Sequence, residues 1–159
     1  MSIKAQTLSY DFFIATFLLF LFLALIFLFF YYRTKSYQEN SEKIRANELL
    51  FSSSEIWFKE GHPKYWNESN VVEIGLSNDG KINLTKVKLL ENLGYSKVVS
   101  LLNLGTWNVK YSLLLQNGTE IFSFPSNEID NAKDLFVLER IGILEDKPVI
   151  IRTILWLKQ

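Results

Sequence analysis

Two hydrophobic patterns succeed each other along the first third of this chain. From Phe12 to Tyr32 there are 21 consecutive residues without a charge. At about 1.5 Å per residue such a run spans roughly 31 Å as a helix, the thickness of a bilayer's hydrocarbon core. The spacing predicts a transmembrane helix over 12–32. The apolar run then becomes one-sided. Between Arg33 and Phe58 there is neither Pro nor Gly, and Ala46, Leu49, Leu50, Ser53, Ile56 and Trp57 recur on one face of a 3.6-residue period. The same helix is expected to continue through 33–60 as an amphipathic segment, ended by Gly61 and Pro63.

Beyond Pro63 the pattern shortens. Val71 to Leu76 reads as a strand closed by the turn cluster Ser77-Asn78-Asp79-Gly80. Leu84 to Leu90 reads as a short helix, capped by Asn83 or Thr85 and followed by Gly94; Ser96 is expected to cap a second, running through Leu102 and stopped near Gly105. Alternation follows, with Trp107, Val109, Tyr111, Leu113 and Leu115 on one strand face. Asn117-Gly118 is a hairpin signal, and Thr119 to Phe124 returns. Pro125 to Asp134 reads as a loop. Leu135–Leu144 and Val149–Leu157 form a further hairpin across Glu145-Asp146-Lys147-Pro148. The sum is an α+β fold: a long N-terminal helix, half transmembrane and half amphipathic, packed on an antiparallel sheet of about four to five strands with two short helices. The organisation is a leader over 1–11, the span over 12–32, its amphipathic continuation over 33–60 and an extracytoplasmic α+β head over 61–159.

Composition narrows the function. Lys plus Arg and Asp plus Glu both number 17, so no basic surplus supports nucleic-acid binding. Without cysteine there is no disulfide framework and no thiolate chemistry. His62 is the only histidine and sits in a helix-ending loop, a poor basis for a metal site. Asp79 with Gly80 lacks the spaced acidic ligands of a calcium loop and reads as a turn. No phosphate-binding loop, nucleophile elbow or zinc-protease motif occurs, so the sequence points to no cofactor and away from an enzyme. Trp57, Trp107 and at least one of Trp66 and Trp156 are expected in the core. Glu139 and Arg152 are placed for a cross-strand ion pair, and Phe122 with Phe124 for either the underside of the sheet or an assembly surface.

The bilayer is the first partner implied. The apolar run is longer than the core of a secretory signal peptide, and Phe29-Phe30-Tyr31-Tyr32-Arg33 offers no small-residue cleavage site, so the helix is expected to stay in the protein. Tyr31, Tyr32, Arg33 and Lys35 read as an interfacial belt. Orientation is read two ways. Arg33, Lys35, Lys43 and Arg45 after the span, against Lys4 before it, favour a cytoplasmic C-terminal part. Asn67, Asn83 and Asn117 stand in N-x-Ser/Thr sequons that fit a glycosylated external domain, though this composition alone produces roughly half as many by chance.

Lys4, Ala5, Gln6, Ser9 and Asp11, leading into Phe12-Phe13-Ile14-Ala15, resemble the class III signal peptides of archaeal type IV pilin-like proteins. Downstream, Gly61-His62-Pro63-Lys64-Tyr65-Trp66, Val72-Glu73-Ile74-Gly75-Leu76, Lys81-Ile82-Asn83, Leu89, Tyr95, Glu139-Arg140 and Trp156 resemble a module of uncharacterised members of that group. The resemblance implies a prepilin-type signal peptidase acting within Lys4 to Thr7, a retained helix that forms a filament core, and association with other subunits. Cleavage before Gln6 makes Asp11 the sixth mature residue; cleavage before Thr7 makes it the fifth. By the same resemblance Asp11 meets the new amino terminus of a neighbouring subunit; otherwise it marks the membrane edge. The expected function is a membrane-anchored pilin-like structural subunit, or a minor pilin or pseudopilin, of an archaeal type IV filament or secretion-like system at the cell surface. The alternative is an unprocessed single-pass membrane protein whose soluble domain binds a partner or ligand.

Overall fold

The computed structural model describes residues 3–130 and 132–158, with side chains from Tyr10 to Asp130 and from Ala132 to Leu157. It divides into two compact units, Met1–Ile44 and Arg45–Gln159. The fold is α+β. Helix α1 runs Ile3–Ser54 and ends in a 3-10 turn, Glu55–Trp57. Within the first unit α1 is apolar all round over 12–32, and the helix is long and apolar enough to cross a membrane. Every residue from Arg33 to Arg45 is exposed, and burial starts at Ala46.

The second unit carries a two-stranded ribbon and a four-stranded sheet, both antiparallel. β1 (Ser77–Asn78) and β2 (Lys81–Ile82) form the ribbon around Asp79 and Gly80, whose φ angles of 49° and 77° are those of a primed hairpin turn. α2 (Leu84–Leu93) starts where the Asn83 side chain accepts hydrogen bonds from the amides of Thr85 and Lys86, and α3 (Tyr95–Leu101) follows after Gly94. β3 (Trp107–Leu114), β4 (Glu120–Phe124), β5 (Ala132–Leu144) and β6 (Lys147–Lys158) make the sheet in the order β4-β3-β6-β5. One face of the sheet meets the stripe of α1. Ala46, Leu50, Ile56 and Trp57 pack in one core with Val109, Tyr111, Leu113, Ile151 and Leu155. All four tryptophans are buried. Phe124 joins that core and Phe122 packs against it, so these rings lie on the underside of the sheet.

The structure corrects several local expectations. Val71–Leu76 is not a strand; its one ladder contact is a bridge between Glu73 and His62, the amides of Val72 and Glu73 both donate to the His62 carbonyl, and the Leu76 amide donates to that of Ile56 in the 3-10 turn. Gly94, not Ser96, occupies the N-cap of α3. β5 begins at Ala132, inside the expected loop. The last hairpin turns on two residues, Glu145 and Asp146, with φ of 48° and 63°, instead of four. Pro148 is thus inside β6. It is tolerated because pairing with β3 begins only at Ile150, so no β3 partner needs its missing N–H.

Candidate functional site: an apolar helix and the socket that holds its end

The side chains of Lys4, Ala5, Gln6 and Thr7, the expected processing stretch, lie outside the described residues. Asp11 is exposed immediately before the apolar run. Along that run Phe12, Phe20 and Phe30 are 68%, 65% and 61% exposed. The one threonine in the span is satisfied internally: Thr16 Oγ1 donates to the Phe12 carbonyl at 2.8 Å. Near the far end Arg33 lies 5.1 Å from the Tyr37 ring centroid.

In the second unit the last turns of α1 are held from three directions. A helix leaves its final carbonyls without intrahelical partners, and a buried end must find others. Here the chain folds back to supply them. The Leu76 amide donates to the Ile56 carbonyl at 2.7 Å and the Ser77 amide to that of Lys59 at 2.9 Å. Ser77 Oγ donates to the Phe58 carbonyl at 2.9 Å, and the Tyr111 hydroxyl to that of Ser53 at 3.1 Å. Lys86, almost wholly buried in α2, donates from Nζ to the carbonyls of Glu60 at 2.6 Å and Ser77 at 3.0 Å. Burial lowers the pKa of Lys86, and the deeper burial of Tyr111 raises that of its phenol.

The return path requires two glycines. A Cβ on Gly75 would lie 2.1 Å from the Gly61 amide nitrogen and 2.5 Å from the Glu60 carbonyl carbon. Gly61 has a φ of 80°, and a Cβ there would sit 2.7 Å from the Gly75 amide. Trp66 closes the crossing by donating from Nε1 to the Gly75 carbonyl at 2.8 Å. Outside it, Glu60 accepts from the Asp79 amide at 3.1 Å and pairs with Lys64 at 3.3 Å. The amide first and Lys64 second hold the Glu60 carboxyl below the usual carboxylate pKa, while Glu60 raises that of Lys64.

The third grip comes from the sheet. Arg140, on the inward face of β5, lies 4.0 Å from the Phe58 ring centroid and 5.2 Å from that of Phe51. Its Nη1 donates to Glu55 Oε1 at 2.5 Å and to Ser54 Oγ at 3.2 Å. Sequence reading assigned roles to neither Arg140 nor Lys86. The signal was present in both cases: each is a cation at a position where the local period demands an apolar residue, Arg140 between Leu138 and Gly142 on one strand face, Lys86 at i, i+4, i+7 with Leu90 and Leu93.

The remaining candidates are dispersed. His62 is exposed. Glu139 and Arg152 pair across β5 and β6 at 2.7 Å, as their register predicts. Asn67 and Asn117 are exposed, whereas Asn83 is engaged as the α2 cap. A cleft of about 320 Å³ lies between Tyr95, Asn108, Trp156 and the 125–130 loop. Tyr95 there donates to Asn108 Oδ1 at 3.1 Å and accepts from the Val109 amide, completing the β3 ladder beyond the end of β4. Burial raises its pKa. Among the described residues no three His, Asp or Glu side chains converge as metal ligands. Comparison with family models, curated proteins and solved structures found no match.

Proposed function

We propose that this chain is a membrane-anchored, pilin-like structural subunit, or a minor pilin or pseudopilin, whose α1 serves first as a lipid anchor and, after removal of the leader, as a packing surface for other subunits. The observation that carries this reading is α1 itself. It joins an uncovered apolar run to a head-bound end without a break in the helix, Ile3–Ser54. A rod of this kind suits a part that exchanges lipid for neighbouring helices, since apolar packing in either surround satisfies it. In this role the head lies outside the cytoplasm, a signal peptidase of the prepilin type cuts before Gln6 or Thr7, and Asp11 sets the register against a neighbouring amino terminus. An acidic group at the lip of a hydrocarbon span costs several kcal/mol unless paired or at the interface, which gives such pairing its driving force. No catalytic role is assigned.

The test is expression of the full chain with and without an active class III signal peptidase, followed by mass spectrometry of the N-terminus. A mature start at Gln6 or Thr7 supports the proposal; an intact Met1 or Ser2 beside active peptidase overturns it. The basic residues Arg33, Lys35, Lys43 and Arg45 favour a second reading, an unprocessed single-pass protein with a cytoplasmic domain that binds a partner. Protection of the head from protease added outside intact cells would select that reading.

A further inference from the structure

The sheet has a second face. On β5, Leu135, Val137, Ile141 and Ile143 alternate away from the core and are 50%, 48%, 75% and 47% exposed. Midway along the row stands Glu139, paired with Arg152 of β6. The neighbouring β6 positions on the same face are also apolar, since Ile141 lies beside Ile150 and Val137 beside Ile154. A sheet face turned to water ordinarily reads polar at these positions. Contiguous aliphatic surface of this kind marks an interaction site.

We infer that the outer face of β5 and β6 is an interface between two copies of this chain, stacked sheet on sheet about a twofold axis. The occupant follows from the charge pattern. An axis parallel to the two strands, lying between them and midway between the sheets, sets β5 of one copy over β6 of the other at equal heights. Glu139 then faces Arg152 of the second copy, Ile141 faces Ile150 and Val137 faces Ile154. Every apolar position meets an apolar one and each charge meets its opposite, which an isologous contact requires of a self-complementary patch. Sheets stacked face to face lie about 10 Å apart, a distance that aliphatic side chains fill. The two strands cover roughly 40 by 10 Å, about half of the ~800 Å² per partner in a standard interface. The contact is therefore weak between free molecules and depends on both copies sharing one membrane, where tethering raises their effective concentration. It does not require leader processing, so its failure would leave the proposed function standing.

The chain has no cysteine, so a single introduced thiol reports cleanly. The full-length protein carrying Ile141→Cys is treated in membranes with a short bis-maleimide, with Val72→Cys, at a 67% exposed position off the sheet, as control. Ile141→Cys is expected to give a covalent dimer and Val72→Cys none above background. Adding Glu139→Arg to Ile141→Cys lowers the dimer yield at least fivefold, and adding Arg152→Glu as well restores it. The inference is overturned if folded Ile141→Cys protein, verified by buried-tryptophan emission, yields no more dimer than the control. It is equally overturned if the charge swap fails to restore the yield, or if the product joins a different protein. A fluorophore attached to the thiol of the Ile141→Cys protein that reports an apolar surround in nanodiscs holding one copy each would assign the face to lipid instead and also overturn it.

Discussion

Replacing Arg140 by alanine removes the sheet's hold on the end of α1. Arg140 and Glu55 side chains are 28% and 31% exposed, so their 2.5 Å contact is partly shielded from water and salt. A hydrogen bond to a charged group contributes about 1.5–3 kcal/mol, and each cation–π contact about 0.5–1 kcal/mol at an exposed site. With the solvent-facing share discounted, the expected loss for Arg140→Ala is about 2–3 kcal/mol. With a urea dependence of about 1–3 kcal/mol per molar, the unfolding midpoint of the head falls by roughly 0.7–3 M. The assay is urea unfolding of the full chain in detergent micelles, followed by fluorescence of the four buried tryptophans. A double-mutant cycle with Glu55→Gln isolates the pair and is expected to show a coupling of about 1 kcal/mol. Arg140→Lys keeps the charge but not the planar group over Phe58, so it should fall between wild type and alanine. A loss below about 0.5 kcal/mol for Arg140→Ala, or a coupling indistinguishable from zero, would refute the assigned grip.

Two further outcomes follow from the back-folded segment. Gly75→Ala places a methyl 2.1 Å from the Gly61 amide, a backbone clash with no flexible neighbour to yield, and should cost about 3 kcal/mol or more. Gly80→Ala, with φ of 77° but nothing within 4 Å, should cost only about 1 kcal/mol, so thermal unfolding that ranks the two the other way contradicts the crossing. Glu60 has a lowered pKa in the fold against 4.5 for the free group, so its contribution is complete above 4.5 and is lost as pH falls through the folded value. Wild type should accordingly be more stable than Glu60→Gln at neutral pH, with the two curves converging in acid; a difference independent of pH would remove Glu60 from the account.

The parts legible in the sequence are those where one local period decides the outcome. The apolar run and the stripe from Ala46 to Trp57 gave α1, and alternation gave β3. The Asn117-Gly118 signal placed the β3–β4 hairpin. What was missed depends on partners distant in sequence. Val71 to Leu76 has strand composition, but its amides serve scattered acceptors, the carbonyls of Asn67, His62 and Ile56, not the ladder of another strand. Arg140 interrupts the inward-facing period of its strand, but the partners it serves, Glu55 and Phe58, stand more than 80 positions earlier. The Glu145-Asp146 turn lacks glycine, so the usual cue for positive φ was absent.

The two apolar codes in α1 also divide the work of stability. A stripe one face wide can be buried by a single sheet, and that from Ala46 to Trp57 is buried so completely that Ala46 and Trp57 retain no exposed area. A run apolar on every side cannot be satisfied by a sheet, because a flat partner covers only one flank. It needs a surround, which a bilayer or a ring of helices provides. Between these codes lie the exposed residues 33–45, which contribute to neither. The core cluster of the head is drawn from residues of the second unit, Ala46 onward. In the proposed role, a subunit leaving lipid for an assembly changes only what surrounds its upper helix. The free energy that folds the head is not spent in the transfer, and the socket at Arg140 and Lys86 keeps its contacts throughout.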